Sequence, residues 1–116
     1  MVITKFGSTP LSLKYENEEL AKVIENYISS VKGTFRYSYL CSHIENKAMQ
    51  EDMFKTEPYT RYTDIALTEQ DHYRINMILW QMIWDKRIVL AFRNGYFNNK
   101  NGNDTLFDVV EEKWKK

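Results

Sequence analysis

The chain has little of the residues that staple or break small folds, with one cysteine, two prolines and four glycines among its 116 residues. A single Cys41 cannot close an intramolecular disulfide, so stability has to come from an apolar core. An excess of positive charge is also missing. Sixteen Lys and Arg face sixteen Asp and Glu, which leaves no global field to draw in DNA, RNA or an anionic membrane, so any such binding must be local. Nor is there a long apolar run. The longest, from Met77 to Trp84, is interrupted by Gln81 and falls far short of a membrane span of ~20 residues. The opening stretch MVITKFGSTPLSLKY lacks the apolar block of a secretory signal, so a reducing cytoplasm is the expected location. Repeats, low-complexity blocks, a glycine-rich phosphate loop and a nucleophile elbow are all missing from the sequence.

What is present is apolar and aromatic material, at 43% and 15% of the residues, enough for one globular domain that folds without metal. The organisation expected for residues 1–116 is an N-terminal arm over 1–16, a core over 17–111 and a charged tail over 112–116. Leu20, Val23, Ile24, Tyr27, Ile28 and Val31 recur at the spacing of one helical face, which predicts a first helix from Asn17. Asn17 is the expected cap, Glu18 and Glu19 suit the positive end, and Gly33 supplies the stop. A short extended piece around Phe35 follows, then a second helix from about Ser38 with Leu40, Cys41, Ile44 and Ala48 on its apolar face. From Asn46 to Leu67 the periodicity decays around Pro58, which predicts a frayed helix end and a loop. Thr68 and Asp71 resemble a capping box, and a third helix should run from there to about Asp85. RIVLAFRNGYF and TLFDVVEE flank the turn-forming NNKNGND, which predicts a β-hairpin. The expected fold class is therefore α+β, three helices plus a C-terminal β-hairpin.

The third helix carries two apolar stripes. On a helical wheel, Ile75, Leu79, Met82 and Ile83 form an aliphatic stripe, with Ile78 on its shoulder. Tyr73, Met77, Trp80 and Trp84, spaced by four, three and four, form a second on nearly the opposite side. Large aromatics at helical spacing usually pack inside, so one reading makes both stripes core. The other leaves Tyr73, Met77, Trp80 and Trp84 exposed as a protein-binding or homodimer interface, where such residues are enriched.

Catalytic or metal chemistry finds little support. Cys41 and His43, two residues apart on a helix, point about 200° from each other, so Cys41 reads as a small buried hydrophobe rather than half of a thiol dyad. One Cys and two His without ligand spacing predict no metal site. His72 reads as a solvated residue. The adjacent acidic pairs Glu18–Glu19, Glu51–Asp52 and Glu111–Glu112 diverge in direction and read as solvated charge. No cofactor, small-molecule substrate or enzymatic activity is expected.

The order helix, short strand, helix, helix, hairpin, over about residues 17 to 111, resembles the winged-helix fold. GTFRYSYLCSHI looks like its first strand and the start of its second helix, and RIVLAF with TLFDVV looks like its wing. The resemblance implies a small regulatory DNA-binding protein, whose third helix enters the major groove and whose wing touches phosphates. Carried over to this sequence, Gln70, Arg74 and Gln81 would face bases, and Arg93 and Lys100 would reach phosphates. Glu69, Asp71 and Asp85 outnumber Arg74 on that helix. The alternative is therefore a protein-interaction module, such as an adaptor, an inhibitor or an immunity-type protein, since fold does not fix function.

Overall fold

The computed structural model describes residues 9–56, 65–91 and 105–114. They form, in order, β1 (Thr9–Leu11), α1 (Asn17–Ser30), β2 (Thr34–Arg36), α2 (Tyr37–Gln50), β3 (Ile65–Leu67), α3 (Glu69–Trp84), β4 (Ile88–Leu90), β5 (Leu106–Val109) and a 3₁₀ turn, Glu111–Lys113. This is a mixed α+β arrangement of three helices and two small sheets among the described residues.

The helical periodicities become helices because each has one face to bury. In α1 that face is Leu20, Val23, Ile24 and Ile28. Its cap is Glu16 rather than the expected Asn17, and the Glu16 backbone N–H donates to the Glu19 carboxylate at 3.1 Å. Asn17 is diverted, because its side-chain oxygen accepts from Arg74 Nε at 2.8 Å. The helix ends at Val31, and Gly33, at φ +94°, turns the chain into β2. A positive φ is strained for side chains that carry a Cβ, which is why glycine serves there. α2 begins one residue before the expected Ser38 and buries Tyr37, Leu40, Cys41, Ile44 and Ala48.

The described residues on either side of the expected loop are held by partners, where a frayed helix end was expected. α2 continues to Gln50, Phe54 is buried and bridges Leu13, and Lys14 and Lys55 donate to the Met53 and Ser12 carbonyls at 2.7 and 2.8 Å. β3 then pairs in parallel with β1, Thr9 opposite Ile65 and Leu11 opposite Leu67. Residues 9–15 are thus built into the core, with Leu11, Leu13 and Tyr15 buried. The stretch around Pro58 lies outside the described residues.

The other sheet has the order β2-β5-β4, antiparallel throughout, with Thr34 opposite Asp108 and Ile88 opposite Val109. The predicted hairpin strands do pair, although their turn, NNKNGND, lies outside the described residues. Phe35 and Phe107 face each other across the β2–β5 ladder with rings stacked at 5.2 Å. The expected charged tail is partly engaged. Trp114 donates from Nε1 to the Arg87 carbonyl at 3.0 Å and lies under the Arg87 guanidinium, 3.9 Å from its ring centroid. Leu20, Ile24, Ile28, Leu40, Ile44, Ile75, Leu79 and Ile88 are fully buried, so all three helices and β4 share one core.

Candidate interaction surface

α3 is placed by its first turn. Thr68 caps it, accepting from the Asp71 backbone N–H at 3.1 Å. In a reciprocal box the acidic residue would return to the cap's own N–H. Here the Asp71 carboxylate points inward and is buried. Its Oδ2 accepts from the Leu13 backbone N–H at 2.8 Å and from the Thr68 hydroxyl at 3.2 Å, and its Oδ1 accepts from Arg74 Nη1 at 2.9 Å. Arg74 also donates to Asn17 and to the Tyr15 carbonyl. A buried charge is tolerated when it is paired and hydrogen-bonded, and this carboxylate is both. The arrangement locks the N-terminal segment and α1 against α3 and fixes which face of α3 turns outward.

The inward face is the aliphatic one: Ile75, Leu79 and Met82 are buried, with Ile78 and Ile83 half-buried against the core. The aromatic stripe is outside. Tyr73, Met77, Trp80 and Trp84 are 64, 52, 60 and 83% exposed. The reading of both stripes as core therefore does not hold for the second, because among the described residues the helix has packing partners on one side only. Asn76 and the two glutamines Gln70 and Gln81 flank the stripe and are exposed, and Gln81 donates to Asp85 at 3.2 Å.

Of the residues named for nucleic-acid contact, Gln70, Arg74 and Gln81 lie among the described residues. Gln70 and Gln81 lie on the outer side of α3, while Arg74 is turned away from them into its three internal acceptors. A guanidinium held in this way is not a free phosphate or base contact. Arg93 and Lys100 lie outside the described residues.

His72 is not the solvated residue expected. It is half-buried, and its Nδ1 lies 2.9 Å from the Tyr37 hydroxyl and 3.8 Å from Cys41 Sγ. Burial lowers the His72 imidazole below its usual value against the opposing pull of Asp71 and Glu69, and burial lifts the Cys41 thiol to about 12. The Tyr37 phenol is raised as well, again chiefly by burial. All three groups are thus neutral near pH 7, so the trio ties α2 to α3 and offers no thiolate for nucleophilic attack. His43 stacks instead against Tyr27, with ring centroids 4.9 Å apart. Glu51 is likewise engaged, accepting from the Tyr15 hydroxyl at 2.6 Å and pairing with Lys47 at 2.9 Å.

Among the described residues no three His, Cys, Asp or Glu side chains stand together to hold a metal ion, and no helix is long and apolar enough to cross a membrane. Comparison with family models, with curated proteins and with solved structures finds no match to this chain.

The Asp71 latch and the His72 contacts were not read from the sequence. Asp71 had a signal: it precedes Ile75 and Ile78 by four and seven residues, which puts a carboxylate on the face that must be buried. The approach of His72 to Tyr37 and Cys41 spans more than thirty residues and has no local signature.

Proposed function

We propose that the chain is a small protein-interaction module of winged-helix type that docks a protein partner on the outer face of α3. The winged-helix reading is supported by the order α1, β2, α2, α3, β4, β5 and by the placement of β5 between β2 and β4. The docking reading rests on one observation: Tyr73, Met77, Trp80 and Trp84 form a continuous apolar stripe on the solvent side of a helix whose opposite side is already packed. Monomers rarely expose apolar patches beyond a few hundred Å², and exposed Trp, Tyr and Met on one patch are the composition of interface centres.

DNA binding is the second reading, and the arrangement of helices and sheet, with Gln70 and Gln81 outward, is what favours it. The electrostatics of α3 favour it less. Its first turn is acidic, its one arginine is held internally, and most of the affinity for duplex DNA comes from phosphate contacts.

One variant separates the two. Tyr73→Glu with Trp80→Glu should leave the fold intact and abolish the protein complexes that the wild type forms on chemical cross-linking in cell extract. Titration of labelled duplex DNA at low salt should show no binding by either protein. Steeply salt-dependent DNA binding by the wild type would reverse the order of the two readings.

A further inference from the structure

We infer that the protein seated on α3 is a second copy of this chain, its α3 laid antiparallel to the first. The inference rests on the docking-face reading above and assigns that face its occupant.

Laid in that direction, the stripe matches itself. Tyr73, Met77, Trp80 and Trp84 follow the four-three-four spacing of a helix–helix seam. A two-fold axis midway between Ile78 and Leu79 sets Trp84 of one copy against Tyr73 of the other, and Trp80 against Met77. Each layer then pairs two aromatic rings or a ring with a thioether sulfur, both favourable contacts.

The helix dipoles favour the same direction. In a parallel pair Glu69 would meet Glu69 and Asp85 would meet Asp85. The antiparallel pair removes those two self-contacts, sets the acidic first turn of α3 beside an end that carries both Asp85 and exposed Lys86, and opposes the helix dipoles. Asn76 and Gln81, exposed and uncharged, border the middle of the seam, and Arg74 is already held by Asp71, so no like charges meet there.

The area is adequate. Aromatic side chains offer roughly 150–250 Å² each. At the exposures of these four residues, the stripe buries on the order of 1,000 Å² in total from both copies, about the lower bound for a specific interface before any rim is added.

The test is sedimentation equilibrium on the full chain, with spin-label distances on single-cysteine variants. Cys41, buried and protonated, does not compete for the label. The wild type should be dimeric, and Trp84→Glu should weaken the dimer by about 30-fold or more, as loss of an interface anchor does. Met77→Lys provides a second variant should the first fail to fold. Labels at Gln70→Cys should lie about 25 Å apart along the helix axis and those at Gln81→Cys under about 10 Å, whereas a parallel pair would bring both sets equally close. Equal separations would overturn the antiparallel pairing. A wild type that stays monomeric up to submillimolar concentration would overturn the second copy as occupant. In that case cross-linked partners that disappear with Tyr73→Glu and Trp80→Glu would leave the docking face standing, and their absence from the wild type would remove both readings.

Discussion

The Leu13 backbone N–H donates to the buried carboxylate of Asp71 at 2.8 Å, across 58 residues of sequence. This one bond fixes the N-terminal segment to the first turn of α3, and Arg74 neutralises the charge that makes it. Removing the arginine strands the carboxylate. Arg74→Ala should therefore destabilise the fold by about 3–5 kcal/mol, the usual result of breaking a buried pair from one side. Asp71→Asn, which keeps the shape and one acceptor, should cost less. Urea unfolding of the two variants checks the order.

The two faces of α3 should respond to substitution in opposite ways. Leu79→Ala on the buried face should cost about 2–5 kcal/mol. Trp80→Ala on the exposed face should stay within about 0.5 kcal/mol when measured at a dilution where the chain is monomeric. Similar losses at both positions would mean that the stripe is packed in solution.

Acid should weaken the fold before the carboxylates titrate. His72 and His43 both have imidazoles lowered from 6.5, chiefly by burial. Between the lowered folded value and 6.5 the unfolded chain binds more protons, so stability rises with pH in that window. Their full contribution is present above 6.5 and is lost as pH falls through the folded values. The melting temperature should drop from neutral pH to about pH 5, and a His72→Gln, His43→Gln double variant should show a flatter profile over that range.

The Cys41 thiol, raised to about 12 and buried, should not react with a thiol reagent at neutral pH until the chain is unfolded. Cys41→Ala should cost about 1–2 kcal/mol, and a chelator should leave the melting temperature unchanged. Rapid labelling of the native protein would contradict the packing of α2 against α3.

At the other end of the molecule Trp114 covers Arg87, and Arg87 reaches Glu25 on α1 at 3.0 Å. Trp114→Ala removes a hydrogen bond, a cation–π contact and part of the apolar cover, and should cost about 2–3 kcal/mol. Thermal unfolding monitored by circular dichroism reads the loss.

What was legible in the sequence was whatever repeats over short distance. The apolar face of α1, the Leu40–Ala48 face of α2, the cap at Thr68 and the strands of the hairpin all follow from local spacing, and the α+β class follows from them. What escaped was set by partners far along the chain. β3 has three residues and pairs with β1 more than fifty residues earlier, so it has no alternation of its own to announce it. Asn17 has the chemistry of a cap but is taken by Arg74, and Glu16 caps in its place. The outer stripe of α3 was visible as a stripe. Its exposure was not, because apolar spacing on a helix reports which residues share a side and says nothing of which side faces water.

The position of β5 also bears on how the chain matures. It is the central strand of its sheet, yet among the described strands it is the last in chain order: β2 and β4 are made first, and their inner edges stay unsatisfied until Leu106–Val109 arrives between them. The helices can form early from local contacts, while closure of the sheet and docking of Leu13 and Tyr15 on α3 are long-range events that come late. Until β5 arrives, the nascent chain presents two open strand edges beside an aromatic helix face, a combination prone to capture by neighbouring chains. A ribosome stalled before Leu106 would therefore leave a product with most of its helical content and two unpaired strand edges.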